Sequence, residues 1–295
     1  MSEAAAIAVA PALAIRRRGL WRFIRRNPTI CLGLLVIAAM LLASLSASLY
    51  AGDPLTMDPS RRLQGPSAQL WFGTDHLGRD VFARTVYGAR MSLLVGFSVA
   101  VLAVTGGLVI GLAAGYLRRL DGVVMRVMDG LMSIPSILLA IAFVSLTHGG
   151  IVVVTIAIVI PEVPRAVRLV RSVVLTTREQ PYVEAALSGG ARTMKILWRH
   201  ILPSTIAPLI VQATYVCASA ILTEAGLSFL GAGIPPEIPT WGNMIAFSRL
   251  YIGVAPWTIF CPGVCLALVV LAVNLLGDGL RDFLDPRLRR GAGAK

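Results

Sequence analysis

The chain has 295 residues, 56% of them hydrophobic, with a mean hydropathy of +0.77 and a formal charge of +12. Only 14% of residues are charged, against about 25% in soluble domains, which excludes an ordinary globular protein and predicts an all-α, polytopic membrane helix bundle. In a soluble chain +12 would suggest nucleic acid, but here the basic residues flank apolar runs, so the expected partner is the lipid bilayer and no nucleic acid.

Residues 1–27 form a basic N-terminal segment with Arg16, Arg17, Arg18, Arg22, Arg25 and Arg26. It resembles the charged start of a signal peptide, yet the apolar stretch that follows, 28–50, is too long for one and no cleavage site follows it. This stretch is the first expected span. Residues 51–90 are polar, with Asp-Pro at 53–54 and 58–59, and place Val81, Phe82, Thr85 and Val86 on an expected surface helix. The second span is expected at 92–117, where Ala103, Gly107, Gly111 and Gly115 make a small-residue face for close helix contact. Arg118, Arg119 and Arg126 are read as a turn, and a third span at 130–146 carries Pro135 in its first turns. His148-Gly149-Gly150 reads as a tight hairpin.

The fourth span, 151–170, is purely apolar only to Ile160. That is short of the ~20 residues a crossing needs, so it must run on past Pro161 and Pro164 with a kink. Glu162 sits between those prolines without an assigned role. The polar segment 179–203 follows. Pro181 opens a helix that presents Tyr182, Ala185 and Ala186 on one face with Glu184 beside them. Gly189-Gly190 stops it; a second, basic helix with Arg192, Lys195 and Arg199 runs to Pro203. Two short helices on a glycine elbow predict a protruding knob.

The fifth span is expected at 205–230. A Pro- and Gly-rich loop, 231–252, has Trp241 and Trp257 near its ends as interfacial anchors, and the sixth span covers 253–276. The membrane domain is thus bounded at 28–280, with a tail at 281–295; around that boundary Asp278, Asp282 and Asp285 accompany Arg281 and Arg287 as a solvated, salt-bridged stretch. Six spans put both termini on one side. That side, with the knob, collects 21 of the 27 Lys and Arg, so positive-inside counting assigns it to the cytoplasm. Four cysteines, at 31, 217, 261 and 265, all fall in apolar runs, with no disulfide framework or zinc spacing.

The residues Glu184-Ala185-Ala186, Gly189-Gly190, His200 and Leu202-Pro203 resemble the "EAA" cytoplasmic loop of ABC-importer permeases. Many members have an aliphatic residue where this chain has His200, and the form Arg199-His200-Ile201-Leu202-Pro203 is similar to the peptide-transporter branch. Three further stretches, 72–84, 221–236 with Trp241-Gly242-Asn243, and 274–287, resemble the "C"-type member of the dipeptide/oligopeptide/nickel permease pair. The resemblance spans roughly residues 28 to 288. It implies a type I importer permease in the bacterial cytoplasmic membrane, paired with a second homologous permease, two ATP-binding subunits and an extracytoplasmic binding protein. The cargo it implies is short peptides, with nickel chelates, glutathione or opines as alternatives.

No lysine follows a glycine as a P-loop requires: Lys195 follows Met194 and Lys295 follows Ala294. The three histidines lie in separate segments, and no G-x-S-x-G elbow occurs. The chain is therefore not expected to be an enzyme or to hold a cofactor or metal; ATP belongs to partner subunits. An ion-driven secondary transporter is the rival reading, but such machines want mid-membrane carboxylates and internal repeats. The carboxylate placed in the fifth span is Glu224, on a face with Ala213, Cys217 and Ala220. It is either a structural ion pair or hydrogen bond that fixes the helix end, with Arg249 or Arg90 as candidate partners, or a candidate for the translocation path.

Overall fold

The computed structural model describes residues 27–147 and 149–284. The arginines between 16 and 26, His148, and the tail from Asp285 onward, with Arg287 and Lys295, lie outside the described residues. Among the described residues the regular structure is helical, apart from one isolated bridge between Thr74 and Asp80.

Helix α1 (Pro28–Leu45) ends at Ser46, which separates it from the short α2 (Ala47–Tyr50). After a looped segment comes α3 (Val81–Tyr116), 36 residues and so roughly 54 Å long. The surface helix expected at Val81–Val86 is instead the first turns of α3, with Val81 and Thr85 buried. Asp80 starts it, its carboxylate accepting from the Phe82 N–H at 2.8 Å, and the polar residues that read as a break lie on a face packed against the rest of the protein.

The expected turn at Arg118–Arg126 is also a helix, the amphipathic α4 (Arg118–Met132). It meets α5 (Ser136–Ser145) at an angle of 86°. The stretch expected as the third span, 130–146, is therefore broken at Pro135 rather than one straight helix. Pro135 adopts an extended ψ of 128°, a conformation that cannot continue a helix, and α5 has only 10 residues, roughly 15 Å. Helix α6 (Ile151–Arg178) then runs for 28 residues through both prolines. The small-residue face of α3 is what lets α6 approach: a Cβ on Gly107 would stand 2.3 Å from that of Ala166, and one on Gly111 2.7 Å from that of Val170.

The knob comprises α7 (Pro181–Ser188), α8 (Thr193–Ile196) and a π turn at Leu197–Ile201. Pro203 does not end the basic helix. Chain direction continues straight into α9 (Leu202–Phe229), and the π turn widens the ladder just where proline removes a donor and crowds the carbonyl four residues back. The loop expected at 231–252 contains α10 (Trp241–Ser248), and α11 (Trp257–Leu284) closes the bundle.

Among the described residues four helical stretches are long and apolar enough to cross a membrane, and the bent α4–α5 pair would make five. Helix α6 has the length, but Glu162, Arg165 and Arg168 fall within its first 18 residues. Three cores hold the bundle: one among α3, α5, α6 and α9 around Val99 and Ile158, one around Trp241, and one at the knob end around Val170, Val174 and Ile201.

Candidate functional site

The knob is built on the elbow. Gly190 has φ +78°, a left-handed conformation that costs other residues roughly 1–2 kcal/mol. It lets Ala191 donate its N–H to the Ala186 carbonyl at 3.0 Å while Gly190 donates to Leu187 at 2.9 Å, the paired bonds of a Schellman stop. Gly189 has an ordinary negative φ. Val183 and Ile196, one from each short helix, are fully buried with Ile201 against Val170 and Val174 of α6. Glu184, Ala185, Gly189 and Gly190 stay exposed, and Ala186 is half-buried. Around them Tyr182, Leu187, Met194 and Trp198 expose apolar surface. His200 is half-buried with its ring 6.0 Å from that of Tyr182; Leu202 and Pro203 form the first turn of α9. The knob is therefore an exposed surface with a rigid root, so a force on it reaches α6 and α9.

At the opposite end of the bundle Glu224 is completely buried. Its Oε1 accepts from Ser228 Oγ at 2.9 Å and from Thr240 Oγ1 at 3.0 Å, while Oε2 has no partner among the described residues. Of the ion pair or hydrogen bond expected here, the hydrogen bonds form, but not with Arg249 or Arg90; Arg249 instead donates to the Phe229 carbonyl and lies over the Phe229 ring. Thr240, which caps α10 in a reciprocal box with Asn243, stands beside Glu224 in the place an arginine would need. Trp241 is likewise no interfacial anchor. It is fully buried, its Nε1 donating to the Thr85 carbonyl at 3.0 Å. Trp257 is half-buried and donates to the Thr74 carbonyl at 3.2 Å.

The loop before α3 is organised by its own charges. Asp75 accepts from Arg79 Nε at 2.7 Å and from the Leu77 and Arg79 N–H groups, all buried or nearly so. Arg84, 1% exposed, was not singled out from the sequence. Its guanidinium donates to the carbonyls of Pro54 and Pro236, tying two loops to α3.

Sequence reasoning also missed a polar face on α6. Glu162, 3% exposed, accepts from Arg165 Nη1 at 2.9 Å and from Ser219 Oγ of α9 at 3.2 Å. Further along, Arg168 reaches Asp129 of α4 at 2.7 Å, and Arg171 pairs with Asp121 through both carboxylate oxygens. The signal was there: a carboxylate between two prolines in an apolar run.

A family model described as the binding-protein-dependent transport system inner membrane component matches residues 107–290. The chain is 64% identical over 91% of its length, and 92% of the relative's, to "Probable peptide ABC transporter permease protein y4tQ" of Sinorhizobium fredii. It is 44% identical, over 92% of itself and 90% of the relative, to "Dipeptide transport system permease protein DppC" of Alkalihalophilus pseudofirmus. In fold it is similar to a chain of the MetNI methionine ABC transporter, with TM-score 0.51 and 21% identity over 66% of this chain and 94% of that one. With membrane-spanning helices and these likenesses, the chain belongs to the binding-protein-dependent transport system inner membrane components, as a multi-pass permease subunit of an ABC importer.

Proposed function

We propose that this subunit carries short peptides inward across the cytoplasmic membrane, as one half of a heterodimer with a homologous permease. Two ATP-binding subunits sit against its knob, and an extracytoplasmic binding protein delivers cargo at the Glu224 end. The peptide cargo is supported by the names of the 64% and 44% identical relatives. The chain binds no ATP of its own, and both termini lie in the cytoplasm with the knob. Six crossings follow when α6 and the bent α4–α5 pair are each counted with the four apolar helices.

The observation that carries the reading is the exposed elbow with a buried root. Glu184, Ala185, Ala186, Gly189 and Gly190, with His200, Leu202 and Pro203 behind them, form the surface that the ATPases grip. Exposed Met194 and Trp198 supply the apolar contact. Val183 and Ile196 pass the movement to α6 and α9. Glu224 serves the opposite end as a tie between α9 and the α10 cap rather than as a contact with cargo.

Glu184→Lys and Gly190→Val test the coupling. Nothing lies within 4 Å of a Cβ at Gly190, so valine there strains the elbow without clashing. Both variants should insert at wild-type abundance while uptake of labelled di- and tripeptides falls by about tenfold or more. Wild-type uptake in both would overturn the coupling role. Uptake of a nickel chelate instead of peptides by the wild type would overturn the cargo.

A further inference from the structure

Helix α6 changes character halfway along. Its exposed residues beyond the midpoint are Arg165, Arg168, Ser172 and Thr176, at steps of three, four and four, which is one helical face. The residues 4, 7 and 11 positions before Arg165 continue that face toward the other end: Pro161, Ile158 and Val154, all buried. Ile158 and Val154 pack in one cluster with Ala140 and Val144 of α5. The polar half of the face is thus open and the apolar half is roofed by α5.

The boundary between the halves is the Glu162–Arg165 pair. Counted from Ile151 at about 1.5 Å per residue, the pair lies roughly 16–21 Å along α6, near the middle of a ~30 Å hydrocarbon core. The neighbouring helix α9 adds Gln212, Ser219 and Thr223 on one partly exposed face, joined to α6 by the Ser219–Glu162 bond. Lipid is a poor neighbour for such a wall: a charged group facing hydrocarbon costs several kcal/mol. An apolar helix of a partner subunit would be little better, since it would leave donors of a guanidinium unpaired.

Arg165 is placed to receive something. It gives Glu162 a bond from Nη1, yet a guanidinium carries five N–H donors and this side chain is 47% exposed. Glu162 is 4% exposed and holds the guanidinium from behind. The matching ligand is a planar oxyanion that can take two parallel N–H bonds, which is a carboxylate.

We propose that Arg165, positioned by Glu162 and Ser219, binds the α-carboxylate of the transported peptide where the open polar half of α6 meets the half covered by α5. The assignment rests on the peptide-importer reading above. Arg171 does not compete for the role, because both carboxylate oxygens of Asp121 occupy it; Arg168, also singly bonded, lies three residues further from the half covered by α5 and is turned to Asp129 of α4.

The test uses the assembled transporter in proteoliposomes with its binding protein. Arg165→Gln and the double variant Glu162→Gln with Arg165→Gln are compared with wild type. Initial uptake is measured at saturating concentration for a tripeptide with a free carboxylate and for its C-terminal amide. All three transporters share one binding protein, so its own preference cancels from the comparison. Both variants should lose about tenfold in free-acid uptake, and their free-acid to amide ratio should fall by the same factor with amide uptake unchanged. If Arg165→Gln does not assemble, the double variant, which strands no buried charge, carries the test. Equal losses for both peptides, or a double variant with wild-type free-acid uptake, would mark the pair as structural and overturn the assignment. A wild-type ratio in Arg165→Gln would overturn it alone and leave the peptide reading standing. A wild-type transporter that carries neither peptide overturns the peptide reading and the assignment together.

Discussion

At the scale of single residues, the looped segment before α3 shows how burial and charge set behaviour. The His76 ring lies 5.3 Å from that of Tyr251 and within 9° of parallel. Its Nδ1 is buried without a hydrogen-bond partner among the described residues. Burial holds its pKa below the ordinary 6.5, and Arg79 and Arg84 add to this while Asp75 pulls the other way. As pH falls, the unfolded chain takes up the proton first. The contribution of His76 to stability is therefore complete above 6.5 and declines as pH drops through 6.5 toward the lower folded value. Thermal unfolding of the detergent-solubilised protein should show a lower Tm at about pH 5.5 than at about pH 7.5. His76→Phe, which keeps the aromatic contact, should flatten that difference. A variant with the wild-type pH dependence would remove His76 as its source.

Between elements, the most extensive contact in the bundle is the α3–α6 seam. Glycine at 107, 111 and 115 is needed there for distance, since each lacks the Cβ that would meet α6. A Cβ on Gly111 would lie 2.7 Å from the Val170 Cβ and 2.9 Å from the Val167 carbonyl oxygen, and neither atom belongs to a flexible end. Gly111→Val should cost about 1–3 kcal/mol by overpacking, read as a lowered Tm and a reduced yield of folded protein. Gly122→Ala in α4, where nothing lies within 4 Å, is the control and should be neutral or stabilising by about 0.5–1 kcal/mol. A Gly111→Val protein as stable as wild type would mean that the seam can separate at little cost. The same seam matters for function, because α6 roots the knob at one end and carries Glu162 and Arg165 in its middle.

For the whole molecule, orientation follows from where the arginines lie, and it is open to a direct measurement. On a cysteine-free background, Ser60→Cys and Glu237→Cys, both at exposed positions, should react with an impermeant maleimide in intact cells. Ser188→Cys and Lys195→Cys, exposed on the knob, should react only after permeabilisation. Labelling of position 188 or 195 from outside would reverse the topology. The two ends differ in kind as well as in side. The knob end presents exposed polar and apolar surface on a buried root, whereas the other end is sealed by Trp241, Arg84 and Glu224, all at most 1% exposed.

The amino-acid sequence by itself determined the class of the protein, its apolar helices, the small-residue face of α3 and the glycine elbow. Each of these is a local property: hydropathy over a window, a four-residue spacing, or a pair of glycines before a basic run. What needed the tertiary structure was every feature in which distant residues meet. Pro203 reads as a stop, yet the π turn at Leu197–Ile201 carries the helix past it. Trp241 reads as an interfacial anchor, yet packing on α3 buries it. Glu224 reads as an ion pair or hydrogen bond at a helix end, and the structure supplies the hydrogen bonds: one hydroxyl from Ser228, a turn further along α9, and one from Thr240, the cap of α10. Periodicity shows which residues share a helix face but not which neighbour covers that face. That is why Glu162, Ser219 and Arg165 became a site only once α5, α6 and α9 stood side by side.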